Sequence, residues 1–343
     1  MTVLVTGATG LLGAHLVRRL NREGIHPRAM LRERSDLRGL TGTSYEPVRG
    51  DVLDRASIER AAQGAEAVFH LAGSVRFGLK EGPALQALHV EGTGNVVQAC
   101  LQQGVRRMIH VSSVAALGFG PLNNLATEET MDPFDDSSAY HVTKREGERL
   151  ALAASGSKLE VIVANPAFVV GAYDVRPSSG MLLIQIAQGR MLFFPTGGNG
   201  FVNAQDVADG LWRLWKQGRP GERYIFNGEN LTYRRFFSIC AEEANVSPPR
   251  LPLSDGMIHR LAGLADRFAD RLPEPFDRIS GPLLRTQTLT AYYSARKAQQ
   301  ELGFRPTPVR LGIREAYRWF QDEGSLARDR PLSPTEPDLT PRS

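Results

Sequence analysis

Eight residues near the N-terminus restrict the fold more than anything else in the chain. The run Thr6-Gly7-Ala8-Thr9-Gly10-Leu11-Leu12-Gly13 follows the short apolar segment Val3–Val5 and leads into Leu11–Arg22, whose apolar residues recur at helical spacing. Strand, glycine turn and helix in that order open a βαβ unit. Gly7 permits the tight turn, Gly10 lets an anion approach the backbone, and Gly13 lets the helix lie close to the sheet. A pyrophosphate would then rest on the unpaired N–H groups of the helix N-terminus, where the helix dipole favours it. A glycine turn alone is weak evidence. Its position directly after a first strand makes dinucleotide binding the leading reading and a structural turn the other.

The rhythm then repeats. Pro27–Leu31, Tyr45–Val48, Ala67–Leu71, Met108–Val111 and Leu159–Val163 read as strands, and Leu85–Gln103 and Ala139–Ala154 have helical spacing. Such alternation predicts parallel strands with right-handed crossovers, and so an α/β, Rossmann-type doubly wound sheet. Residues 1–166 are read as a dinucleotide-binding domain. After Asn165-Pro166 glycine, proline and aromatic residues become frequent. Residues 167–199 and 229–325 are read as a smaller substrate-binding region, with 200–228 returning to the first domain through Phe201–Trp215 and Arg223–Phe226. Met257, Leu261, Leu264, Phe268 and Leu272 share one face of an amphipathic stretch that Pro273 ends, and they are expected to be packed core, with membrane contact as the alternative. Trp212 and Trp215 are also read as packing. Residues 326–343, rich in proline and poor in apolar groups, are expected to be a disordered tail.

Composition removes several classes of function. The 343 residues carry 41 basic and 37 acidic side chains, a net charge of +4, without a basic run that would mark a nucleic-acid stripe. Cys100 and Cys240 sit in no CxxC pair and near no metal-spaced histidine, so neither a disulfide framework nor a metal site is expected. There is no secretory leader pattern and no apolar run of the ~18 residues a spanning helix needs. The expectation is a cytoplasmic protein with a small-molecule substrate, no nucleic-acid partner and no membrane span.

Two further stretches bear on chemistry. Arg32 directly follows the second strand, with Arg34, Ser35, Asp36 and Arg38 close behind. An arginine there would neutralise a ribose 2′-phosphate, whereas a carboxylate would bond the ribose hydroxyls. NADP(H) is therefore favoured, and Asp36 keeps NAD(H) possible. Tyr140-His141-Val142-Thr143-Lys144 opens a predicted helix, so Tyr140 and Lys144 share one face. A phenol titrates near ~10 and needs a nearby cation to act as an acid–base group at neutral pH. The motif alone is a common accident. Ser112-Ser113 at the end of the fifth strand adds a hydroxyl, preferably Ser113, that could hold a substrate oxygen beside Tyr140.

With these features together, the chain resembles the extended short-chain dehydrogenases/reductases of the NAD-dependent epimerase/dehydratase superfamily. The carrying residues are the 7–13 loop, Asp51-Val52, His70-Leu71-Ala72-Gly73, Val90-Glu91-Gly92-Thr93, Ser112-Ser113, Tyr140 with Lys144, and Asn165-Pro166. Within that superfamily it is most similar to the dihydroflavonol reductase and 3β-hydroxysteroid dehydrogenase-like branch, through 221–232 and the Leu302-Gly303-Phe304 region. The resemblance implies that Gly7, Gly10, Leu11, Leu12 and Gly13 hold the pyrophosphate, and that Asp51 and Val52 border adenine. It implies further that Leu71, Ala72 and Gly73 line the cofactor ribose, and that Pro166, Phe168 and Val169 border the nicotinamide. Ser113, Tyr140 and Lys144 would be catalytic, with Tyr140 and Lys144 also touching the cofactor. A homodimer is common in such proteins. Two positions depart from the pattern: His89 stands where asparagine is usual, and Asn203 where histidine is usual.

Val75, Arg76, Phe77, Val114, Leu117, Phe119, Met181, Leu183, Phe193 and Phe194 are expected around the cleft, with ordinary core packing as the alternative. Several of them are apolar, which suits a hydrophobic ketone better than a nucleotide sugar. Three functions follow: ketone reduction or the reverse alcohol oxidation, NAD-retaining nucleotide-sugar epimerisation or dehydration, and non-catalytic dinucleotide sensing. Retention of the Tyr140/Lys144 motif argues against the last.

Overall fold

The computed structural model describes residues 2–75, 77–131, 138–268 and 280–326. The first half comprises β1 (Val3–Thr6), α1 (Leu11–Arg22), β2 (Arg28–Leu31), β3 (Glu46–Arg49), α2 (Arg55–Ala62), β4 (Ala67–His70), α3 (Gly82–Gln86), α4 (Gly92–Gln102), β5 (Arg107–Val111), α5 (Ala139–Ala153) and β6 (Glu160–Pro166). There follow β7 (Phe168–Val170), α6 (Gly180–Ala187), β8 (Phe193–Pro195), β9 (Gly198–Asn203), α7 (Ala204–Gln217), β10 (Arg223–Phe226) and β11 (Glu229–Thr232). The described chain is completed by α8 (Tyr233–Glu243), β12 (Leu251–Leu253), α9 (Asp255–Phe268), α10 (Gly281–Thr286), β13 (Thr290–Ala291), α11 (Arg296–Leu302) and α12 (Val309–Asp322).

Seven strands form one sheet in the order β3-β2-β1-β4-β5-β6-β10, with every pair parallel. The order reverses direction at β1, so a crevice opens beyond the carboxyl ends of β1 and β4, where open α/β sheets bind ligands. Both faces of the sheet are covered, which is why its strands read as nearly continuous apolar runs. Val3, Val5, Phe69, Ile109 and Ile162 pack on the side of α1 and α7. Leu4, Val68, Met108 and Val161 pack on the side of α2 and α4. A second sheet runs β11-β9-β13 with β7 also paired to β9, and β8 pairs with β12 in a small ribbon. The second core joins α6, α8 and α12 through Leu183, Phe201, Phe236, Ile313 and Phe320.

Several expectations are corrected. Of the stretch 200–228, α7 packs along α1 and β10 pairs with β6, but β9 belongs to the second sheet. The helix expected over Leu85–Gln103 carries a π turn at Ala87–Glu91 that joins α3 to α4. On α9 the stripe expected to be core is exposed: Met257, Leu261, Leu264 and Phe268 are 41–54% accessible, and Ile258, Ala262 and Ala265 are buried instead. The apolar face is wide, and helical periodicity does not say which half is covered. Small side chains at Ala262 and Ala265 let the helix approach α10, with Asp266 accepting hydrogen bonds from the Gly281 amide and the Arg285 guanidinium. Leu272, Pro273, Arg76 and the tail from 327 lie outside the described residues. Trp215 is buried edge-on against Phe69, and the Arg19 guanidinium covers Trp212. Cys100 and Cys240 are buried free thiols. Among the described residues no helix is long and apolar enough to cross a membrane.

Candidate active site

The glycine loop has the shape its spacing requires. Gly7 has φ +67°, and a β-carbon there would fall 2.7 Å from the backbone of Leu71 and Ala72. Gly13 is in closest contact with the loop, since its β-carbon would lie 2.2 Å from the Gly7 carbonyl oxygen. Gly10 is different: exposed, with its β-carbon site meeting only that same oxygen at 3.4 Å. Gly10 also caps α1 without a side-chain hydrogen bond, and the first turn, with Leu11 and Leu12, contains no acid. Open backbone donors at a helix N-terminus without competing carboxylates fit a dinucleotide pyrophosphate.

Beside the loop, the end of β4 is held by a relay of hydrogen bonds. The Ala72 amide donates to Thr6 Oγ1, which lies 2.8 Å from His70 Nδ1. His70 Nε2 is 3.1 Å from Thr93 Oγ1, which donates to the His89 carbonyl. Burial and the Lys144 charge push the His70 pKa down to about 3, so this ring is neutral. The backbone of Leu71, Ala72 and Gly73 is thereby fixed alongside the loop. Asp51, at the end of β3, accepts from the Leu53 amide, and Val52 is buried against Gly92.

At the end of β2, Arg32 is half-buried and its amide donates to Ser35 Oγ. Arg38 is taken up by Asp36 and by Glu323 near the C-terminal end of α12. That pairing holds the Asp36 carboxyl below its ordinary pKa. Arg38 and Asp36 therefore engage each other, which the sequence did not reveal. Arg176 was also missed. Its guanidinium reaches the Arg34 carbonyl, and the Arg32 charge pulls its pKa down in addition to burial. No local motif marks it, because the loop after β7 brings it there.

Ser113 and the Lys144 ammonium lie at the end of β5, and Tyr140 lies in the first turn of α5. Ser113 Oγ accepts from the Ala115 amide and contacts the Tyr140 hydroxyl. Ser112, next to it, is buried on the side of Glu148. Burial raises the Tyr140 pKa above its ordinary value, and the Ser113 contact acts the other way. Lys144 is buried, donates to the Val111 carbonyl at 3.4 Å, and is pushed down to about 8 by burial despite the Glu148 charge. Glu148 accepts from Asn165 Nδ2 at 2.6 Å and pairs with Arg223, which ties α5 to β6 and β10. Phe77 packs on Tyr140 with ring centroids 4.9 Å apart, in a cluster with Leu85 and Ala115.

The remaining cleft residues are more dispersed. Val75 is exposed, Val114 and Leu117 are packed into the main core, and Met181 is half-buried on α6. Phe193 is exposed on the β8–β12 ribbon, while Phe194 turns inward. Pro166 ends β6 opposite Phe226. Alternation along β7 sends the Phe168 ring onto Phe201 and Phe236 and leaves Val169 against the main core.

Residues 3–227 match the NAD dependent epimerase/dehydratase family. The chain belongs to that family. A relative named sterol demethylase protein B, from Methylococcus capsulatus, is 34% identical over 328 residues, covering 95% of this chain and all of the relative. A putative dihydroflavonol 4-reductase from Synechocystis is 29% identical, covering 93% of this chain and 94% of that one. The solved structure of a nucleoside-diphosphate-sugar epimerase from Pseudomonas aeruginosa superposes with a TM-score of 0.79 at 27% identity, covering 94% and 98% of the two chains. Membership in the epimerase/dehydratase family makes this an enzyme that works with a nicotinamide cofactor on an extended short-chain dehydrogenase/reductase fold.

Proposed function

We propose that this enzyme reduces a ketone of an apolar substrate with NADPH, or oxidises the matching secondary alcohol with NADP⁺. The reading rests on the Ser113–Tyr140 contact beside the Phe77 ring, with Lys144 buried one helical turn further along α5. The bound nicotinamide supplies the hydride for reduction. Ser113 holds the carbonyl oxygen, and the Tyr140 hydroxyl gives it a proton as negative charge develops, leaving a secondary alcohol and a phenolate. Lys144 stabilises that phenolate, offsetting the burial that otherwise disfavours it. Solvent returns the proton to Tyr140.

Arg32 and Arg176 support the choice of NADP(H). Two cations face the end of β2, and the carboxylate that would have bonded ribose hydroxyls is held by Arg38. The likeness to a nucleoside-diphosphate-sugar epimerase favours a second reading, in which a retained NAD⁺ is transiently reduced and reoxidised. Mass spectrometry of the cofactor released from the purified enzyme decides between them. Protein that arrives without nucleotide and binds added NADPH supports the reductase. Stoichiometric, tightly held NAD⁺ supports the epimerase.

A further inference from the structure

Behind Tyr140 lies a buried histidine with a defined hydrogen-bond partner on each ring nitrogen. His89 is buried in the π turn between α3 and α4. Its Nε2 accepts a hydrogen bond from the Ser74 amide at 3.1 Å. A nitrogen that accepts carries no proton, so the hydrogen of the neutral ring is on Nδ1. Nδ1 lies 2.9 Å from Thr143 Oγ1, which passes its own hydrogen to the Ala139 carbonyl. Every donor in this row has an acceptor, and only one tautomer satisfies it.

The row links two parts of the site that no backbone ladder joins. Ser74 ends the segment beside the cofactor loop, and Thr143 stands between Tyr140 and Lys144 on α5. A β-carbon at Gly73 would lie 3.3 Å from Lys144 Nζ and 3.7 Å from His89 Nε2, so both nitrogens border the same small space. The imidazole stands edge-on to the Tyr140 ring at 5.9 Å. The His89 carbonyl, which accepts from Thr93 Oγ1, abuts Gly147, where a β-carbon would fall 2.2 Å from it. π turns of this kind recur at functional sites.

We infer that His89 is a positioning residue: as a neutral strut between the Ser74 amide and Thr143, it sets the spacing of Tyr140 and Lys144 from the cofactor segment. This rests on the proposed role of Tyr140. The ionisable groups around the strut are Lys144 and Glu148 of α5, His70 of β4 and His110 of β5. Burial and the Lys144 charge keep His89 well below its ordinary pKa, so it stays neutral through the working range.

The test needs no substrate. With NADP⁺ bound, the phenolate absorbance of Tyr140 is isolated by subtracting the titration of the same protein carrying Tyr140→Phe, and NADP⁺ affinity is measured by calorimetry. His89→Phe removes both hydrogen bonds. Its Tyr140 midpoint should rise by about one pH unit or more, and its NADP⁺ affinity should fall about tenfold. His89→Gln, which keeps an acceptor near the Ser74 amide, should recover most of both. If His89→Phe does not fold, His89→Asn replaces it, keeping a donor for Thr143 and losing the Ser74 bond, with a smaller rise in the same direction. Unchanged midpoint and affinity in a folded variant overturn the inference. A wild-type midpoint at the level of free tyrosine strikes at the acid–base role of Tyr140 instead, and the affinities alone then decide for or against His89.

Discussion

Gly13 approaches Gly7 so closely that a β-carbon on Gly13 would stand 2.2 Å from the Gly7 carbonyl oxygen, whereas at Gly10 the same oxygen is 3.4 Å away and the rest is open. The two glycines therefore do different work: one lets helix and loop pack, the other leaves room for an anion. Gly10→Val should abolish dinucleotide binding in calorimetry and leave the melting temperature of the apo enzyme nearly unchanged. Gly13→Val should lower the melting temperature itself. Unaltered cofactor affinity in Gly10→Val would assign the loop a structural role only.

Arg32 and Arg176 give a prediction about cofactor choice. A charge-assisted hydrogen bond contributes roughly 1.5–3 kcal/mol, less where solvent and salt screen it, and Arg176 is exposed. Arg32→Ala should weaken NADPH binding about tenfold, with ~1.4 kcal/mol per decade. Arg176→Ala should weaken it less, and the double variant most. NADH affinity should barely change. Arg38→Ala should shift the balance toward NADH, because it releases the Asp36 carboxylate from its ion pair. Equal loss of NADH and NADPH on changing Arg32 would show that it does not read a phosphate.

Lys144 makes the apo enzyme's stability depend on pH. Its pKa is depressed from 10.5 to about 8 in the folded chain by burial. Between those values the unfolded chain binds more protons, so stability rises as pH climbs from about 8 to 10.5. Below pH 8 both states are protonated, and the buried charge is a standing cost on the order of 3 kcal/mol on this shift. Lys144→Met should therefore melt higher than wild type at pH 7, with the gap closing by pH 10.5, while cofactor binding weakens. A variant that melts lower at pH 7 would mean that the bond to Val111 outweighs the desolvation of the ammonium.

The outer face of α9 also yields a stability prediction. Leu264→Gln should leave the melting temperature within a degree or so, because Leu264 is exposed, whereas Ala262→Gln should lower it by several degrees through overpacking and buried polarity.

Much of this was readable in the sequence, for identifiable reasons. The large sheet follows from apolar runs buried on both faces and separated by helical stretches, and strand ends moved by only a few residues. The places of Gly7, Gly10, Gly13, Ser113, Tyr140 and Lys144 in the fold could be read because each sits at a fixed offset from a strand end or within one helical turn, and the roles proposed for them rest on that placement. Arg176 was not, because its place depends on how a loop folds back over α1, with Tyr173 stacked on the Arg18 guanidinium at 3.5 Å. The mutual capture of Asp36 and Arg38 needed Glu323 from the far end of the chain to become apparent. The stripe on α9 misled because amphipathicity measures an apolar face and not the neighbour that covers it. Val114 is packed into the main core and Phe193 is exposed, a difference in surroundings that apolar type alone does not reveal.

Whether Tyr140 moves the proton can be read from a single substitution. Oxidation of NADPH by the purified enzyme is followed against a panel of apolar ketones, with wild type and Tyr140→Phe run at the same saturating cofactor concentration. The substitution removes one oxygen and should leave NADPH affinity and melting temperature close to wild type. In the variant, kcat on the best ketone should fall by about 10²–10⁴; turnover by Tyr140→Phe within a few-fold of wild type would mean that another group moves the proton.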